Sequence, residues 1–139
     1  MQTVNRPIQI ARGELSPAAG TGIQSPPASG ATITIYDSTA NNNGRQGNAS
    51  VPFSRLVLDI ISSADSAASG VTFEGSSDNG TTWDTMQTAQ TYLTASGATT
   101  YDVLVTYPQV RIKYANSAAT LTTWRMSLQG VIGDRAKGN

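Results

Sequence analysis

From Ala31 onward the chain is a succession of short segments of alternating apolar and polar residues, cut by turn residues about every ten positions. This pattern constrains the fold more than any other feature. Thr32-Ile-Thr-Ile-Tyr36 alternates and is rich in β-branched side chains. Phe53 to Ser62 sets Leu56, Leu58 and Ile60 on one face, with Val57 and Ile61 on the other beside Asp59. Burial on both faces would place that strand centrally in a sheet. Residues 63–69, rich in Ser and Ala, read as a loop. Val71 to Gly75 and Thr82 to Thr88 read as hairpin partners, and Thr91 to Thr94 as a short extended piece. In Thr99 to Thr106, Tyr101, Val103 and Val105 share a face. Val110, Ile112 and Tyr114 point one way while Arg111 and Lys113 point the other. Leu121 to Val131 turns Trp124, Met126 and Leu128 inward. No helical period competes with these strands. The expectation is an all-β protein, an antiparallel β-sandwich or jelly-roll-like domain of seven to eight strands, with a closed barrel as the nearest alternative.

The flanks differ. Residues 15–30 hold three prolines and three glycines, which remove backbone donors and break strand pairing. Residues 1–30 therefore read as an extended Pro/Gly-rich N-terminal arm, 31–133 as the β-sandwich domain and 134–139 as a short C-terminal tail. Val4, Ile8, Ile10, Leu15 and Ile23 are spaced too widely for a core of their own. They are candidate contacts of the arm with a partner. Deleting residues 2–28 is expected to leave a folded domain. Met1 to Gly20 contains no apolar core of a secretory signal, and no run approaches the roughly 18 apolar residues of a membrane span. No membrane association is expected.

The chain has no His and no Cys. Ser-His-Asp and Cys-His catalysis, thiolate chemistry, disulfides and Cys-based zinc sites are thereby excluded. An enzyme would have to work with Glu14, Glu74, seven Asp, two Lys or Tyr. Nine basic and nine acidic residues are spread evenly, with net charge zero, so no nucleic-acid partner is indicated. Charged residues make up 13%, about half the usual share. A surface this weakly charged is poorly protected against self-association. No catalytic residue, cofactor or metal is expected.

Ser76-Ser-Asp-Asn-Gly-Thr-Thr-Trp83 matches the Asp-box pattern Ser-x-Asp-x-Gly-x-Thr-Trp at each fixed position. Asp78 is suited to accept backbone amide bonds across the turn, and Gly80 to adopt a positive φ. Trp83 is expected to enter the core. Ser76, Asp78, Gly80 and Trp83 thus form a structural turn. The Asp-box recurs in sialidases and other propellers as a fold element away from the catalytic site. Here it stands once, in a chain too short for a propeller and without the sialidase arginine cluster and nucleophilic Tyr pattern.

The segment Val71 to Met86 resembles a strand–turn–strand of small virion proteins of tailed phages. The runs Tyr107 to Asn116 and Leu121 to Val131 are similar in the same way. The plan of a Pro/Gly-rich arm before a Thr/Ser-rich β domain resembles capsid decoration, or cement, proteins. The resemblance implies a non-enzymatic virion protein made in a host cytoplasm. It implies contacts with the major capsid protein or other virion proteins, and homo-oligomers, commonly trimers at local symmetry axes. A phage neck, tail or head-fibre component is an alternative, and a carbohydrate-binding β-sandwich module is a second. Three further groups of residues offer ligand or contact chemistry. Asp37 with Asn41, Asn42 and Asn43 offers oxygen ligands without the spacing of an EF-hand. Glu74 and Asp84 lie on paired strands but alternate with Phe73 and Trp83, as solvent-facing positions do. Among the aromatic residues, Tyr92 and Tyr107 lie beside turns and are the candidates for a ligand or partner surface.

Overall fold

The computed structural model describes residues 6–16, 23–39 and 51–132, with Arg6 described in its backbone only. Eight strands follow in order: β1 Arg6–Glu14, β2 Thr32–Asp37, β3 Arg55–Ser62, β4 Ser66–Ser76, β5 Asp84–Gln90, β6 Thr99–Leu104, β7 Gln109–Asn116 and β8 Trp124–Ile132. They form two four-stranded sheets with orders β1-β8-β3-β6 and β2-β7-β4-β5. Every strand pairing is antiparallel, and the pairs nest: β1 with β8, β2 with β7, β3 with β6 and β4 with β5. The protein is therefore a β-sandwich with jelly-roll strand order.

Alternation fills the space between the sheets. Leu56, Leu58, Ile60, Tyr101, Val103, Trp124, Met126 and Leu128 of the first sheet meet Ile35, Val71, Phe73, Val110, Ile112 and Tyr114 of the second; all are buried. Two aromatic pairs join the layers. Tyr114 meets Trp124 edge-on at 4.9 Å between ring centres, and Phe73 meets Tyr101 at 6.1 Å. Such pairs add about 0.5–1.5 kcal/mol each beyond the area they bury.

The sandwich corrects several sequence expectations. Residues 6–14, assigned to the arm, are the outer strand of the first sheet, with Arg6 opposite Ile132 and Glu14 opposite Arg125. The segment is extended as expected, but hydrogen-bonded into the domain rather than separate from it. It reads as an arm because β1 contributes little to the core: Gly13 is buried, Ile10 and Ala11 pack against it in part, and Ile8 stays exposed. Much of the expected loop 63–69 belongs to β4. Its ladder to β7 jumps from Ser66 to Val71, and Tyr92 and Thr91 hold the irregular stretch through Ser66 and Ser69. The extended piece expected over 91–94 stops at Leu93, and residues 94–96 form a 3-10 turn. β3 is central as expected, paired to both β6 and β8. Its second face, Val57, Asp59 and Ile61, is only half-buried; pairing on both edges, not burial on both faces, makes it central. The tail 134–139 and Val4 lie outside the described residues.

Candidate functional site

The hairpin between β4 and β5 is built as its motif dictates. The Thr82 amide donates to Asp78 Oδ1 at 2.8 Å and the Thr82 hydroxyl to Oδ2 at 2.7 Å. The Ser76 hydroxyl donates to Asp78 Oδ1 at 2.8 Å and accepts the Gly80 amide at 2.8 Å. Gly80 takes φ +85°, and Asn79 before it φ 59°. The Thr82 amide, the Thr82 hydroxyl and the Ser76 hydroxyl favour the ionised carboxylate, so the Asp78 carboxyl is held down at about 2. Ser76 is fully buried at the base of the turn.

Trp83 departs from its expected place. It is half-buried on the outer face of the second sheet and takes no part in the core. The guanidinium carbon of Arg111 lies 4.2 Å from the centre of its ring, a cation–π contact. The turn ends before β5 begins at Asp84, so Trp83 precedes the alternation that would have sent it inward. Arg111 also belongs to a charged row on this face. Arg111 Nε donates to Glu74 Oε2 at 2.7 Å, and Lys113 Nζ lies 3.4 Å from the same oxygen. Burial opposes ionisation of Glu74, but the Arg111 hydrogen bond and the Lys113 charge outweigh it, and its carboxyl lies below the usual range. Asp37 pairs with Arg111 across β2 and β7, and Thr85 with Glu74 across β4 and β5. The outcome is a row of charged and polar side chains on the outer face of the second sheet, with the Trp83 ring over Arg111 at one end.

The remaining candidates are not brought together. Tyr92 is fully buried: its hydroxyl accepts the Ser62 amide at 3.0 Å and donates to the Gly97 carbonyl at 2.9 Å. The turn nearby is packed under the sheet end, so Tyr92 offers no surface to a ligand or partner. Tyr107 is half-buried with its ring against Gly75, where a Cβ would come within 2.1 Å of Cδ2. Ile8 and Leu15 are exposed, while Ile10 and Ile23 are half-buried. Asp37 Oδ1 accepts the Thr39 amide and hydroxyl, and Asn41, Asn42 and Asn43 lie outside the described residues. Asp84 stands opposite Gly75 and is exposed, so it does not face Glu74 directly. Among the described residues no three His, Cys, Asp or Glu side chains group as a metal site would require. A shallow depression of about 290 Å³ on the first sheet brings Arg12, Glu14, Asp59 and Arg125 to its walls, mixing opposite charges.

The alternation of β7 marks Arg111 and Lys113 as facing away from the core, and that of β4 marks Glu74 as a polar outer position. That the three form one row beside Trp83 is not legible in the sequence, because cross-strand register is not written in any single segment. Compared with known proteins, the chain matches no family model, no curated protein sequence and no solved structure.

Proposed function

We propose that this chain is a structural component of a tailed-phage particle that decorates and stabilises the capsid through contacts with neighbouring subunits. The observation that carries the reading is the edge strand β1, which ties to the sandwich mainly through its backbone while presenting Ile8, 45% exposed, and Leu15 beyond its end, 39% exposed. Burying these apolar side chains against another protein surface would be favourable. The resemblance of residues 71–86, 107–116 and 121–131 to phage virion proteins supports the same reading. Jelly-roll sandwiches serve in viral capsids and in lectins, an analogy of fold that assigns no function alone. The test is sedimentation of a lysate of the source, with the chain traced by mass spectrometry. Co-migration with DNA-filled particles in hundreds of copies is the expected result. A few copies per particle would move the chain to the neck, tail or a head fibre. Recovery only at the top of the gradient would overturn the virion reading.

The second reading, a carbohydrate-binding module, is favoured by one feature: Trp83 beside the Arg111–Glu74–Lys113 row on an outer face. Aromatic rings flanked by hydrogen-bonding groups suit the faces of sugar rings. It requires a sugar-dependent change in tryptophan fluorescence that Trp83→Ala abolishes. An unchanged spectrum across a panel of polysaccharides would sink it.

A further inference from the structure

Each sheet of a sandwich ends in outer strands whose outward backbone groups have no partner in that sheet. Here they are β1 and β6, and β2 and β5. Three of the four carry features that discourage a further strand. β1 holds Pro7, shifts register between Gln9 and Ala11, and is bonded on its free side by the backbone of Gln24. β2 shifts register between Thr34 and Tyr36. β5 pairs with β4 through two irregularities. β6 has none of these. It pairs with β3 without interruption, from Leu104 opposite Arg55 to Thr99 opposite Ile60. Its sequence, Thr-Thr-Tyr-Asp-Val-Leu, holds no Pro, Gly or Lys. Leu104 is 68% exposed, the most of any large apolar side chain among the described residues.

Among the described residues no backbone group pairs with the outer side of β6. The Val105 amide donates to the Ser54 carbonyl at 3.0 Å. Bonded residues alternate along an antiparallel ladder, so Val103, Tyr101 and Thr99 also bond toward β3. The amides of Thr100, Asp102 and Leu104 therefore point away from it. Beside them a groove of about 630 Å³ separates β6 from β5, with Met86, Gln87 and Thr106 in its walls.

We propose that β6 is a self-association edge, on which β6 of a second copy pairs antiparallel about a twofold axis, joining two four-stranded sheets into one. The choice of a second copy rests on self-complementarity. With the twofold at Tyr101, Thr100 faces Asp102 of the second copy and Leu104 faces its Ala98. Each Asp102 then stands opposite the uncharged Thr100, whose hydroxyl donates to Asp59 of β3, while keeping its fork of bonds from Arg55, 2.9 Å to each oxygen. The exposed Leu104 covers a small exposed residue. A twofold at Asp102 would set two carboxylates against each other, which cross-strand pairing disfavours. The pairing does not depend on the virion reading.

The experiment is sedimentation equilibrium of the full chain over a micromolar concentration series, beside Leu104→Lys and Thr100→Pro. Lysine on an edge strand opposes pairing, and proline at residue 100 removes an outward donor and keeps the backbone ladder to β3, losing only the Thr100 hydroxyl bond to Asp59. The wild-type chain is expected at twice its 14.5 kDa mass, and both variants at the single-chain mass with unchanged circular dichroism. If Thr100→Pro does not fold, Leu104→Lys decides alone. A monomeric wild type, or a dimer that survives in the folded variants, overturns the proposal. So does a trimer, because twofold edge pairing closes at two copies.

Discussion

Both carboxylate oxygens of Asp78 are engaged by Thr82, and one also by Ser76. These bonds favour the charged form, so the folded-state pKa, about 2, lies below the ordinary 3.8. The sign follows directly: the stabilisation is complete above the ordinary value and is lost as the pH falls through about 2. Asp78→Ala is therefore expected to lower the urea midpoint at neutral pH, and the gap from the wild-type chain should close as the pH drops toward 2. A gap independent of pH would mean that charge plays no part in the turn. Asp78 and Gly80 were legible because an Asx turn and a positive φ are local matters. Tyr92 was not, because nothing near it in sequence announces that Ser62 and Gly97 will surround its hydroxyl. Tyr92→Phe leaves the Ser62 amide without its partner and weakens the hold on the Gly97 carbonyl. A loss of about 1–3 kcal/mol is expected in denaturant unfolding.

Seven of the eight strands overlap segments that read as extended in the sequence, β4 only from Val71 onward and β5 as a hairpin partner rather than by alternation. β1 does not, and the reason is energetic: an outer strand is held by backbone bonds that any sequence can make. Pro7 and the neighbouring Pro/Gly-rich residues then disguise it as part of an arm. The start of β4 was missed for a related reason, since Ser66 to Gly70 is bulged and has no alternation to read. Because β1 covers one edge of β8, deleting residues 2–16 strips a ladder that runs from Arg6 to Glu14. A lower melting temperature and increased light scattering are expected on heating. A truncated chain that melts like the parent would show that β1 adds nothing to the sandwich. The same dependence revises the expectation that residues 2–28 are dispensable for folding.

At the scale of the whole molecule, sequence reading reached the sandwich but not the order of its strands. Alternation tells which face of a strand is buried and is silent about its neighbours. The charged row beside Trp83 was hidden for that reason, since Glu74, Arg111 and Lys113 meet only after β4 and β7 have been paired in register. The nested pairing also places contacts far apart along the chain, with β1 against β8 as the extreme. Such topologies fold slowly. Refolding followed by Trp fluorescence is expected in milliseconds to seconds, and a microsecond phase that completes the signal would contradict the distant pairing. The first and last strands run side by side in opposite directions, with Arg6 opposite Ile132. The two points where the chain enters and leaves the sandwich are thus neighbours. A short peptide bridging them would turn the molecule into a ring, and new ends cut at the tip of the 78–81 hairpin would give a permuted chain with the same two layers.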